Sequence, residues 1–209
     1  MINVMIVEDQ KMIRSLLEGY IENADGYSLV ASVSGASEAV EICNTKPIDL
    51  VLMDVQTEHN ENGLTATKAI KQKHPNIKII IVTSLIDCDV LKKAKISGAD
   101  SLWYKDSDEE AFMKIVRLTV AGERVFPDSP PAVDIGTAKS TEFTKTERIV
   151  LHYLVKGLSY RNIAEEMGIE VTTVKYHITN MLQKTNLKNK LQLALAVSEN
   201  KFIINLLED

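Results

Sequence analysis

Five residues in the first half of the chain have the types and the placement for phosphoryl chemistry. Glu8 and Asp9 follow the apolar run Ile2-Asn3-Val4-Met5-Ile6-Val7, and Asp54 closes Asp49-Leu50-Val51-Leu52-Met53. Thr83 follows Ile77-Lys78-Ile79-Ile80-Ile81-Val82, and Lys105 follows Ser101-Leu102-Trp103-Tyr104. Three carboxylates gathered in one crevice repel each other unless a cation sits among them, and hard oxygen ligands at that density suit Mg²⁺. A nearby ammonium and hydroxyl add charge neutralisation and hydrogen bonding, which phosphoryl transfer needs more than covalent help. The chemistry suggested is transfer of a phosphoryl group to a carboxylate. Taken singly, an Asp or Thr at a strand end is ordinarily a cap or turn residue; five in register carry the reading.

The elements must bring these residues together. Residues 1–121 read as five strand-helix units, with helices expected near 10–23, 36–45, 64–73, 88–97 and 108–121 from apolar spacing close to 3.6. The third and fourth strands are almost continuous Val, Ile, Leu and Met, as expected for strands covered on both faces. Alternating strands and helices imply a parallel sheet whose strand carboxyl ends share one edge, where open α/β sheets bind ligands. Pro47, Pro75 and Gly98 fall between elements.

From Gly122 to Phe143 the periodicity lapses. Pro127, Pro130, Pro131 and Gly136 mark an expected linker over 122–143. The remaining stretch, 144–209, reads as four helices. Thr144-Lys145-Thr146-Glu147 is a capping box opening a helix that Gly157 ends, and Ser159 caps the next, which Gly168 ends. A third helix is expected over 171–185, and Asn189 caps a fourth near 190–199. Two short helices separated by a Gly-containing turn are a helix-turn-helix arrangement.

Charge separates the halves. Of 24 Lys and Arg and 29 Asp and Glu, residues 1–122 hold 13 and 18, leaving 11 of each in 123–209. Within 171–190 stand Lys175, Lys184, Lys188 and Lys190 with no acid, a pattern open to two readings: a polyanion partner or a solvated helix face. Cys43 and Cys88 have no metal-ligand spacing and read as reduced packing residues. No apolar run has the length of a membrane span and the chain begins directly in a strand, so a soluble, cytoplasmic protein is expected.

With these positions set out, residues 1–121 resemble the receiver domain of two-component response regulators. Glu8-Asp9, Asp54, Thr83 and Lys105 match its five functional positions in order. The resemblance implies a five-stranded parallel, doubly wound, flavodoxin-like sheet of order 2-1-3-4-5. It implies that Asp54 accepts a phosphoryl group from the phosphohistidine of a sensor histidine kinase. Glu8, Asp9, Asp54 and the backbone carbonyl of Gln56 would hold Mg²⁺; Lys105 would pair with the phosphoryl oxygens, and Thr83 would swing to hydrogen-bond one of them. Two departures stand out. The segment Gln56-Thr57-Glu58-His59-Asn60-Glu61-Asn62-Gly63 lacks the family's Pro and is one residue longer, and is expected to be a mobile acidic loop. The aromatic switch position three residues before the Lys is Leu102, with Trp103 and Tyr104 expected to point elsewhere.

Residues 144–209 resemble the LuxR-type helix-turn-helix domain, making the whole chain similar to a NarL/FixJ-type response regulator. The matching residues are Phe143-Thr144-Lys145-Thr146-Glu147, Gly157-Leu158-Ser159, Ile163-Ala164, Thr173 to Ile178 and Lys184 to Lys190. Periodicity turns Val174, Ile178, Met181 and Leu182 inward onto Ile149, Val150, Leu154 and Ile163, and turns Lys175, Tyr176, Thr179 and Gln183 outward. The resemblance places base-edge contacts at Lys175, Tyr176 and Thr179, and phosphate contacts at Lys184, Lys188 and Lys190. His177 is either a phosphate contact or a packed histidine, and the Tyr176 ring either a contact or a packing group. Glu170 stands where a Ser cap is common, and Thr179 where a basic residue is common.

The function implied is a phosphorylation-controlled transcription factor, not an enzyme: it binds double-stranded promoter DNA and forms a homodimer on phosphorylation, with Leu191, Ala194, Leu195 and Ser198 as the DNA-domain dimer surface. A phosphatase of the haloacid dehalogenase type would need a second Asp two residues after the first, and Gln56 holds that position. A constitutive DNA binder with a non-switching receiver, and an interaction module without DNA binding, are the other rivals.

Overall fold

A computed structural model describes residues 1–85, 88–105 and 108–199, with backbone alone at 88 and 89. The side chain of Cys88 and residues 200–209 of the expected C-terminal domain lie outside the described residues; Cys43 is a buried free thiol. The chain forms two compact units, the second beginning at Pro130.

The first unit runs β1 (Ile2–Val7), α1 (Lys11–Glu22), β2 (Tyr27–Val33), α2 (Ala36–Thr45), β3 (Leu50–Met53), a hairpin of β4 (Gln56–Thr57) and β5 (Glu61–Asn62), α3 (Gly63–Lys73), β6 (Lys78–Thr83), α4 (Cys88–Ile96), β7 (Ser101–Tyr104) and α5 (Glu109–Val120). The five long strands are parallel in the order β2-β1-β3-β6-β7, as the strand-helix alternation predicts. Side-chain alternation divides the sheet into two buried faces. Val4, Ile6, Leu50, Leu52, Ile80, Val82 and Trp103 pack with Leu17, Tyr20 and Ile21 of α1 and Phe112, Met113 and Val116 of α5. Met5, Val7, Val51, Met53, Ile79, Ile81 and Leu102 are buried on the opposite face. Hydrophobic burial on both faces explains why β3 carries no polar residue and β6 has them only at its ends, Lys78 and Thr83.

After α5 the chain stays on the sheet. Leu102 N–H donates to Val125 O at 2.9 Å, and Val125 N–H donates to Ser101 Oγ at 3.0 Å. Arg124 donates to Ala99 O at 3.0 Å, and the Phe126 ring lies beneath the Arg124 and Lys95 cations. Residues 123–126 thus cover the outer edge of β7, which would otherwise present unpaired backbone groups.

The second unit contains α6 (Lys145–Val155), α7 (Tyr160–Met167), α8 (Val171–Thr185) and α9 (Lys190–Glu199), preceded by a short hairpin of β8 (Asp134–Ile135) and β9 (Ala138–Lys139). The expected caps are in place. Thr144 Oγ1 accepts from Glu147 N–H at 3.2 Å while Glu147 Oε2 accepts from Thr144 N–H at 2.8 Å. Ser159 caps α7 and Asn189 caps α9. Val174, Ile178 and Met181 of α8 are buried with Val150, Leu154 and Ile163, as the periodicity predicts, and also with Leu151, Leu193 and Val197; Leu182 is only partly buried, and Ile149 is half-buried outside this core. The expected linker over 122–143 is shorter than its composition suggests. Ile135, Ala138 and Phe143 belong to this second core, because two small or apolar side chains on one face of a hairpin suffice to seat it.

Candidate functional site

The carboxyl ends of β1, β3, β6 and β7 bring the predicted residues to one edge of the sheet. Asp54 follows β3 directly, and its N–H donates to Val7 O at 2.9 Å, which ties it to β1. Its side chain is buried, with Oδ1 accepting from Val55 N–H at 2.7 Å and Oδ2 accepting from Lys105 Nζ at 2.7 Å. Glu8 is fully buried; its Oε1 accepts from Gln10 N–H at 3.0 Å, and its Oε2 lies 2.5 Å from the Lys105 ammonium as an ion pair without hydrogen-bond alignment. Asp9 is exposed at the rim. Carboxylate oxygens of Glu8, Asp9 and Asp54 all lie within 4.8 Å of one another. Thr83 is buried at the end of β6, where its carbonyl accepts from Lys105 N–H at 2.8 Å.

Burial, with the Glu8 carboxylate beside it, holds the Asp54 carboxyl up at about 7 against the downward pull of the Lys105 ammonium. One ammonium therefore faces three carboxylates, and an all-oxygen donor set within 4.8 Å fits a hard divalent cation. A buried Glu8 oxygen that receives no aligned hydrogen bond supports the same fit.

The segment after Asp54, expected as an acidic loop, forms a short hairpin. β4 and β5 pair antiparallel, and His59 and Asn60 at the tip take left-handed backbone conformations, φ 61° and 59°. Its acids are turned away from the pocket. Glu58 hydrogen-bonds Ser34 Oγ, Glu61 Oε2 accepts from Ser37 N–H at 2.8 Å, and buried Thr57 Oγ1 accepts from Ala36 N–H at 3.2 Å. Together they satisfy donors at the start of α2, and the Ser37 hydrogen bonds hold the Glu61 carboxyl below its usual range. Gln56, named for its carbonyl, is the exposed first residue of this hairpin. Gly63 closes it: a Cβ there would stand 1.8 Å from Asp54 O. The Gly was visible in the sequence, but its closeness to the acid was not.

At the switch position Leu102 is buried beside Ile81. Trp103 points to the α1 and α5 face, its ring centroid 4.7 Å from Phe112. The expectation that both aromatics point away from the Leu102 side holds for Trp103 alone. Tyr104 shares the Leu102 face by alternation and pairs in register with Thr83.

In the second unit, α7, its turn and α8 present the predicted nucleic-acid residues. Lys175, Tyr176 and Thr179 are exposed on α8, Tyr176 at 63%, so its ring is not a core group. Thr179 Oγ1 donates back to Lys175 O at 2.9 Å. His177 is half-buried, its ring 5.7 Å from Tyr176. Lys188 is exposed, and Lys190 Nζ lies 4.7 Å over the Tyr160 ring. Lys184 differs from the others: its ammonium donates to both Glu147 carboxylate oxygens, at 2.9 and 2.8 Å, and to Glu142 O at 3.2 Å. Glu170 starts α8 without any side-chain cap; its carbonyl accepts from Thr173 and Val174. Among the described residues no helix is long and apolar enough to cross a membrane.

Both units match known families. Residues 4–117 match the family of response regulator receiver domains, and residues 141–197 match the luxR family of bacterial regulatory proteins. The response regulator protein VraR of Staphylococcus aureus (strain Mu3) is 29% identical over 207 residues, covering 97% of this chain and 99% of its own. The crystal structure of the response regulator ChrA, of a heme-sensing two-component system, has a TM-score of 0.52 at 26% identity, covering 97% of this chain and 98% of that one. A structure of two RcsB dimers bound to two parallel DNAs has the same fold, with a TM-score of 0.60 at 16% identity over 94% of this chain and 98% of that one. The chain belongs to the two-component response regulators, and joins a receiver domain to a LuxR-type DNA-binding domain that regulates transcription.

Proposed function

We propose that Asp54 is the phosphoacceptor and that its state controls how the second unit binds DNA. The observation carrying this reading is the buried Asp54 carboxylate within 4.8 Å of Glu8 and Asp9 and 2.7 Å from Lys105. An Asp54 oxygen attacks the phosphorus of a sensor kinase's phosphohistidine; the new P–O bond forms as the P–N bond breaks, and the imidazole leaves. Glu8, Asp9, Asp54 and the Gln56 carbonyl would hold Mg²⁺, which supplies charge neutralisation to the transferring oxygens. The Lys105 ammonium, now between Glu8 and Asp54, would turn to the phosphoryl oxygens, and Thr83 would hydrogen-bond one of them. That exchange of partners gives the two states different stabilities, which a switch requires.

On the DNA side, exposed Lys175, Tyr176 and Thr179 would read base edges in the major groove, while Lys188 would hold phosphate, joined by His177 and Lys190 at the margins. Lys184 leaves this set because its ammonium is committed to Glu147. Leu191, Leu195 and Ser198 are exposed along α9, with Ala194 half-buried among them, and would pair two DNA-binding units in a homodimer on phosphorylation. Asp54→Asn tests the acceptor: incubation of wild type with Mg²⁺ and acetyl phosphate should add one hydroxylamine-labile phosphoryl group, and the variant should take none. Equal labelling of both would overturn the assignment.

A further inference from the structure

The last carbonyls of a helix have no partner within the helix. At the end of α8 two of them, Lys184 O and Thr185 O, are met by the preceding hairpin rather than by solvent. Thr137 N–H donates to Thr185 O at 3.0 Å, and Thr137 Oγ1 donates to Lys184 O at 3.0 Å. Gly136 makes the approach possible. Its φ is +61°, and a Cβ there would lie 2.1 Å from Thr185 O and 3.1 Å from the carbonyl carbon. The hairpin is itself anchored: Ile135 and Ala138 are buried in the core of the unit, and Ser140 N–H donates to Val133 O at 2.8 Å.

The two ends of α8 are therefore held unequally. The C-terminal end has the Thr137 contacts, the Lys184–Glu147 pair and the left-handed Asn186. The N-terminal end has no side-chain cap and is held by the packing of Val171 and Val174; Lys175 and Tyr176 belong to that half, with Thr179 just past the middle. A 15-residue helix is about 22 Å long, so a small tilt at its clamped end displaces the other by far more. We propose that Thr137 is a positioning residue for DNA reading: it fixes the C-terminal turn of α8 and so aims the exposed side chains of its N-terminal half. This rests on the reading of α8 as the recognition helix. A base-edge hydrogen bond needs its donor within a few tenths of an ångström, whereas a phosphate contact tolerates a swinging side chain. Loosening the clamp should therefore reduce discrimination between sequences more than it reduces attraction to DNA as such.

The test uses full-length chain and a duplex selected from random sequence by wild type, beside a scrambled duplex of equal composition. Thr137→Val removes the hydroxyl donor at an exposed position and keeps the backbone N–H; Thr137→Ser restores the donor. One lost hydrogen bond corresponds to a change of about fivefold. Thr137→Val should lose affinity on the selected duplex, by at most about that factor, with the scrambled duplex unchanged, while hydrogen exchange quickens in the last turn of α8. Thr137→Ser should behave as wild type. Equal losses on both duplexes, or no loss on either, would overturn the proposal. Lys175→Ala separates the two levels. Discrimination lost there but kept in Thr137→Val refutes the positioning role alone, and discrimination kept in both refutes the reading of α8 and the proposal with it.

Discussion

Lys184→Ala distinguishes a strut from a DNA contact. The ammonium makes a bidentate contact with Glu147, at 2.9 and 2.8 Å, and Glu147 is only 3% exposed. Removing it leaves a buried carboxylate that keeps the backbone N–H of Thr144 as a donor but has no cation beside it. Breaking a fully buried pair costs about 3–5 kcal/mol, and an exposed pair is worth at most about 1 kcal/mol. The Lys184 side chain is 32% exposed, which places this pair between those limits, at about 2–3 kcal/mol. For a unit of this size the melting midpoint should fall by about 10–20 °C. Burial alone would raise the Glu147 carboxyl, but the Lys184 and Thr144 hydrogen bonds outweigh it and hold the group below 4.5. A depressed folded-state value stabilises above the unfolded value and is lost as pH falls through the folded one. The gap between wild type and variant should therefore be full at pH 7 and close as the pH falls through the depressed folded-state value. Calorimetric melting across pH, with DNA binding measured across a salt series well below the transition, provides the assay. A variant that melts within 1 °C of wild type at pH 7 while its salt slope drops by about one unit would refute the strut and restore Lys184 to the phosphate contacts.

Three further outcomes follow from other contacts. Gly63→Ala should abolish Asp54 labelling, because a Cβ 1.8 Å from Asp54 O forces the acceptor's own backbone to move; normal labelling in a folded variant would show that the hairpin yields instead. Lys175→Ala should weaken binding to a selected duplex by about 1–3 kcal/mol and relax its preference, whereas Lys188→Ala should weaken all duplexes alike; indistinguishable variants would dissolve that division. Ile135→Ala should destabilise the second unit by about 2–5 kcal/mol in denaturant melts, since the side chain is fully buried; an unchanged midpoint would mean that the hairpin is not part of the core.

Periodicity and caps made most of the fold legible. Strand runs with a polar residue at each carboxyl end located the pocket, and Thr144, Ser159 and Asn189 marked helix starts where the structure has them. What escaped depends on long-range partners. Glu58 and Glu61 read as loop acids because nothing local says that Ser34 and Ser37 will meet them. Lys184 shares a basic run with Lys188, and only the folding of α6 against α8 reveals Glu147 as its partner. Ile135 and Ala138 lie among prolines and glycine, whose turn chemistry outweighed two apolar residues. Tyr104 was misplaced through a plain slip of alternation, since residues two apart on a strand share a face.

The covering of the β7 edge by residues 123–126 has a consequence for reach. Between the contacts of that stretch with the receiver and those of Val133 with the DNA-binding unit stand only Pro127–Ala132, half of them proline. Seven Cα steps of extended chain cover at most about 25 Å. Consecutive half-sites on DNA are about 34–36 Å apart, more than one such leash can span. In the homodimer proposed above, so short a connection would leave the choice between a direct and an inverted repeat to the pairing of the receivers, and lengthening it with Gly and Ser would transfer that choice from the protein to the DNA.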